Sequence, residues 1–215
     1  MKTDADLKRD VQAELAWDPA VKSTEVGVAV KDGVVTLSGH LGTYAEKYAV
    51  QRALRRVPGI KAIALELDVL LAPNHKRSDT EIALAAEHAL QWNTLIPDKI
   101  RVTVDKGWLT LQGEVDWDYQ RHGAEKAVRP LMGVVGISNE ITLKTRVAPA
   151  DIEKSIANAL QRQLERELQR IDVKVDGSTV TLRGSVNSWH ERDAAQGVAW
   201  QAPGVRAVVN ELRIA

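Results

Sequence analysis

Apolar residues return every fourth position at three places along the chain: Leu7, Val11 and Leu15; Ile82, Ala86 and Leu90; Ile152, Ile156 and Leu160. That spacing puts each trio on one helical face and predicts three amphipathic helices. Thr3 with Asp6, and Ser78 with Glu81, supply N-terminal capping signals, and Pro149 suits a first helical turn. The period then changes to two. Val26, Val28 and Val30 alternate with other residues, as do Ile100, Val102 and Val104, and Ile171, Val173 and Val175. These are half-buried strands.

Each strand runs into a turn and a second strand, written VKDGVVTLSG at 30–39, VDKGWLTLQG at 104–113 and VDGSTVTLRG at 175–184. The Asp/Lys/Gly turns predict β-hairpins. A second helix follows, with small inward residues: Val50 and Ala53, Ala124 and Ala127, Ala195 and Val198. Thr43 with Glu46, and Ser188 with Glu191, read as capping boxes, whereas Trp117 and Gln120 lack the cap hydroxyl. A last strand carries Ile63, Leu65, Leu67 and Val69; Ile137, Asn139, Ile141 and Leu143; and Val208, Asn210, Leu212 and Ile214 on one face.

The spacings repeat three times. Gly39, Gly113 and Gly184 are each followed twenty residues later by Gly59, Gly133 and Gly204, and seven residues beyond those by Glu66, Glu140 and Glu211. The chain is therefore expected to be α+β, three tandem αββαβ domains at 1–72, 78–146 and 148–215. A strand–helix–strand step favours a right-handed crossover onto the same sheet, giving a three-stranded mixed sheet with two helices on one face. The linkers, 70–77 and 145–148, are short, and units of this size sit near the lower limit of independent stability, which predicts packing between neighbours. The first glycine of each copy falls at a core-facing position, where the absent side chain is expected to admit the small-faced second helix.

The pattern of Gly-x-Val-Thr-Leu-x-Gly, a glycine twenty residues on, and Val205, Val208, Asn210 and Leu212 resembles the BON domain, over essentially the whole chain. Leu65 stands where asparagine is usual, and Gly177 shifts the third turn by one residue. The family includes an osmotically inducible periplasmic protein, nodulation-associated proteins and outer-membrane lipoproteins. The resemblance implies a non-enzymatic module of the osmotic-stress response that contacts phospholipid or envelope components. One cytoplasmic relative that binds potassium implies a cation sensor as the alternative, and a protein-interaction scaffold is a third reading. The glycines Gly39, Gly59, Gly113, Gly133, Gly184 and Gly204 are structural in all three.

Composition narrows the chemistry. Lysine and arginine number 29 and so do aspartate and glutamate, so no segment has the positive excess of a nucleic-acid module. Gly133 and Gly136 form a Gly-x-x-Gly, but between a helix and a strand and with few cations beside it. With no cysteine, thiol nucleophiles and zinc–thiolate sites are excluded. The five histidines, His40, His75, His88, His122 and His190, have no ligand spacing, and no catalytic, metal or cofactor-binding motif is present. Glu66, Glu140 and Glu211 read as solvated strand residues, or as one carboxylate per domain toward a cation. No apolar run is long enough for a membrane span. Met1 as native start implies a cytoplasmic protein, and a removed signal peptide a periplasmic one.

Candidate contact residues come from two features. Helix two of the first copy carries Lys47, Arg52, Arg55 and Arg56, a face suited to anionic headgroups. Six tryptophans accompany no phenylalanine. Trp108 stands beside a hairpin turn, while Trp117 and Trp189, with Tyr44 and Tyr119, gather where second helices begin. Trp108, Trp117 and Trp189 are candidates for lipid or partner contact. Trp17 and Trp92 end equivalent first helices, where they read as staples.

Overall fold

The computed structural model describes residues 2–144, 152–163 and 171–214. The capping role expected of Pro149 and the linker at 145–148 lie outside them. The element order is α1 (Asp4–Trp17), β1 (Val26–Lys31), β2 (Val34–Leu41), α2 (Tyr44–Arg56), β3 (Ala62–Val69), α3 (Asp79–Gln91), β4 (Arg101–Asp105), β5 (Trp108–Val115), α4 (Asp118–Val128), β6 (Gly136–Leu143), α5 (Ile152–Gln163), β7 (Asp172–Asp176), β8 (Thr179–Val186), α6 (Trp189–Trp200) and β9 (Ala207–Ile214). The strands form three sheets ordered β1-β2-β3, β4-β5-β6 and β7-β8-β9. In each, the hairpin is antiparallel and the crossover strand is parallel to the middle one. This is the α+β, triplicated αββαβ architecture that the repeat predicts.

Each sheet has its own core, built from both of its helices. Leu7, Val11 and Leu15 of α1 and Val50, Ala53 and Leu54 of α2 bury against Val35, Leu37 and Leu41. Ile82, Ala86 and Leu90 do the same against Leu109, Leu111 and Val115, and Ile156 and Leu160 against Val180 and Leu182. Hairpin and first helix are also tied by a contact absent from the hydrophobic pattern. The Asp4 carboxylate accepts from the backbone N–H groups of Asp32 and Gly33 at 2.8 and 3.0 Å, and Asp79 accepts from Lys106 and Gly107 at 2.8 and 2.9 Å. Both turns have positive φ at their two central residues (+54° and +80°, +50° and +77°), the geometry that matches strand twist.

Two expectations need correction. The strand glycines do not receive the second helix. Gly39 pairs with Val26, the first residue of β1, and a Cβ on it would run into the Glu25 carbonyl; on Gly113 a Cβ would lie 2.8 Å from the Lys99 carbonyl. What comes close is the chain entering the first strand, and φ of +132° and +151° at these positions adds a second reason for glycine. The small residues of the second helix are buried instead over the leucine rows of the sheet and beside the first helix.

The capping boxes of the second helices are also only half as expected. Thr43 and Ser188 do accept from the N–H groups of Glu46 and Glu191. The glutamates, however, reach past the cap residue. Glu46 takes Gly42 N–H at 3.1 Å and Lys22 N–H at 2.8 Å, and Glu191 takes Asn187 N–H at 2.8 Å. Glu46 is thereby buried and ties the loop before β1 to α2.

Candidate functional site

The second helices α2, α4 and α6 carry the contacts between domains, and these contacts run in one sense. The residue immediately after the N-cap is Tyr44 in α2, Asp118 in α4 and Trp189 in α6. Tyr44 packs on the second domain's core, and burial there pushes its hydroxyl pKa up. Trp189 packs on the first domain's core and its Nε1–H donates to the Ile60 carbonyl at 2.9 Å. Near the other end of each helix, Arg129 lies over the Tyr48 ring with its Cζ 3.2 Å from the centroid, and Arg55 meets Asp193 at 2.5 Å. Trp200 packs on the cores of both the second and third domains, with the Arg121 guanidinium 4.8 Å from its ring centroid. First touches second, second touches third, and third returns to first. The three units close a ring.

Between the second and third domains, and reaching Arg55 of the first, the helices leave a cleft of about 820 Å³, lined among others by Trp117, Asp118, Tyr119, His122, Gly197 and Trp200. Asp118 is buried at its edge, bonded to Arg121 at 2.5 Å and to His122 Nδ1 at 2.9 Å. The Asp118 carboxylate raises the His122 pKa, against the effect of partial burial.

The basic residues of α2 are all engaged. Lys47 Nζ donates to the Leu67 carbonyl at 2.7 Å. Arg56 bonds Glu14 at 2.6 Å and Asp18 at 3.2 Å, Arg52 bonds Asp18 at 3.4 Å, and Arg55 bonds Asp193 across the domain junction. Asp18 is buried, and its carboxylate is held below the ordinary range by the Ala20 N–H and these two guanidiniums. The cluster therefore knits α1 to α2, and the first domain to the third.

The tryptophans separate into different roles. Trp189 is a ring-closing contact. Trp108 donates from Nε1 to Ser138 at 2.9 Å across neighbouring strands and is 49% exposed. Trp117 lines the cleft. Trp17 and Trp92 are not staples: they stand 83% and 88% exposed where α1 and α3 end. Their leucines two residues earlier, Leu15 and Leu90, complete the buried stripe, so the next positions turn outward. Trp200 and Tyr48, which join domains, carry no sequence signal of that role, because nothing local marks a residue that packs on a unit far along the chain.

The repeated glutamates are exposed, and two of the three form cross-strand pairs. Glu140 lies opposite Gln112 and accepts from it at 2.8 Å, and Glu211 lies opposite Arg183 at 2.6 Å. Among the described residues no three histidine, aspartate or glutamate side chains group as for a metal ion, and no helix is long and apolar enough to cross a membrane.

The chain is similar to the osmotically-inducible protein Y of Escherichia coli strain K12, at 25% identity over 146 residues, which are 66% of this chain and 73% of that protein. Among solved structures it aligns with CdsD, a structural protein of the type III secretion system of Chlamydia trachomatis, at 14% identity over 98% of this chain and 92% of that one, with a TM-score of 0.27. The periplasmic domain of PrgH aligns at 12% identity over 89% and 95%, with a TM-score of 0.24. Likeness at that level adds nothing to the fold. The family model for the BON domain matches three times, at residues 3–70, 78–145 and 149–215. With its glycine and strand pattern present three times and nearly every residue inside a match, this chain belongs to the BON-domain family.

Proposed function

We propose that the chain is a non-enzymatic binding module of the osmotic-stress response that docks on anionic phospholipid surfaces. The observation that carries this reading is the exposure of Trp17 and Trp92. Two large indoles stand in water at equivalent helix ends, 83% and 88% exposed, and neither packs on a core. Indole partitions to the boundary between apolar and wet phases, with the ring among acyl chains and the N–H among headgroups. The family and the similarity to an osmotically inducible protein support the stress-response part.

The α2 cations contribute less than their number suggests, since each is already held by a carboxylate or carbonyl. Vesicle co-sedimentation tests the proposal. Phosphatidylglycerol vesicles at low salt should bind the protein and phosphatidylcholine vesicles should bind it less. Replacing both Trp17 and Trp92 with alanine should weaken binding by at least about tenfold, because burying roughly 100 Å² of each indole is worth ~2.5 kcal/mol. Undiminished sedimentation of the double variant would remove the reading.

A further inference from the structure

The three domain junctions run in the same sense but are filled by different residues. Directly after the N-cap of each second helix, Tyr44 fills the first junction with a ring and Trp189 fills the ring-closing junction with a ring. The same position at the remaining junction is Asp118, a short carboxylate that turns to its own helix and holds Arg121 and His122. That is the junction with the cleft of about 820 Å³. The ring-closing junction also leaves a cleft, of about 580 Å³, but its lining, which includes Asp4, Gly59, Lys61, Asn187 and Ile214, holds no aromatic side chain.

The lining suits a flat group with polar edges. Trp117, Tyr119 and Trp200 supply aromatic surface, and the Arg121 guanidinium covers one face of the Trp200 ring, 4.8 Å from its centroid. Arg55 and Arg121 are matched by Asp193 and Asp118, so the walls have hydrogen-bonding capacity but no strong excess of either sign. Gly197 opens the floor: a Cβ there would meet no heavy atom within 4 Å, and the corresponding residues of α2 and α4 are Arg52 and Lys126. The volume lies in the range of small-molecule sites, which are mainly apolar with a few convergent polar groups.

We propose that the cleft between the second and third domains binds a small aromatic molecule, one or two fused rings bearing a hydrogen-bonding substituent, whose ring takes the place that Tyr44 and Trp189 occupy at the other junctions. The site is separate from the exposed Trp17 and Trp92 and does not depend on lipid docking.

Indole and phenol are suitable probes. Titrated into the full chain and followed by the tryptophan Nε1–H signals in NMR, they should shift Trp117 and Trp200 and leave Trp17 and Trp92 in place. Two variants should each weaken binding by at least about tenfold, the loss of one well-packed ring. Asp118→Trp supplies the missing ring, and Gly197→Leu fills the floor without touching the Asp118 pairs. Folding of each is read from the strand amide signals. Failure of both probes to shift Trp117 or Trp200 at millimolar concentration, equal shifts at all six tryptophans, or binding unchanged in well-folded Gly197→Leu would each overturn the proposal. Binding confined to a peptide with an aromatic side chain would overturn it as well.

Discussion

The ring closes between domains that are farthest apart in sequence, and Trp189 is the residue on which closure rests. Replacing it with alanine removes an indole lodged on the first domain's core and its hydrogen bond to Ile60, 129 residues away. Roughly 100 Å² of apolar contact at ~25 cal/mol per Å² is worth about 2.5 kcal/mol. The hydrogen bond adds about 1 kcal/mol, and the abandoned buried carbonyl keeps the loss near the upper end. The expected cost is about 3.5 kcal/mol, against about 1 kcal/mol for Trp189→Phe, which keeps most of the ring. Removing Arg55 or Asp193 from the half-exposed ion pair at the same junction should cost under about 1 kcal/mol. Native-state hydrogen exchange of the first domain's strand amides reads these differences directly, because that domain's sequence is untouched. Its protection should fall markedly in Trp189→Ala, partly in Trp189→Phe, and hardly in Asp193→Ala. If Trp189→Ala lowers protection only in the third domain, the indole serves its own unit and the ring is not an energetic entity.

Two further outcomes follow from local geometry. Gly113→Val should destabilise the second domain by about 2–4 kcal/mol, since the new side chain meets the Lys99 carbonyl at a φ of +151°; an unchanged melting temperature would contradict this. His122 should titrate above its ordinary value because of Asp118, and Asp118→Asn should bring it back down, as followed by the imidazole signals in NMR. Its folded-state pKa is raised, so the associated stability is fully present below the unfolded value of about 6.5 and is lost as pH rises through the folded value.

The sequence determined what is local and repeated. Fourfold apolar spacing in α1, α3 and α5, alternation in the hairpins, and glycines in fixed positions gave the αββαβ unit and its number, because helix and strand periods are properties of neighbouring residues. The strand glycines do mark a close backbone approach, but at the sheet's margin, where Gly39 is exposed, and not in the core: alternation gives the side of a sheet a residue occupies, while which backbone crosses it there depends on how the loop before β1 returns, as at Glu25 and Lys99. Tertiary structure alone decided how charge and aromatic surface are spent. Lys47, Arg52, Arg55 and Arg56 read as a free basic face, yet their partners Asp18, Glu14, Asp193 and the Leu67 carbonyl come from other elements. Trp17 and Trp189 are the same residue type near helix ends, one in water and one partly buried against another domain. No local pattern separates them, because burial between units is set by where three domains meet in space, and that meeting has no period along the chain.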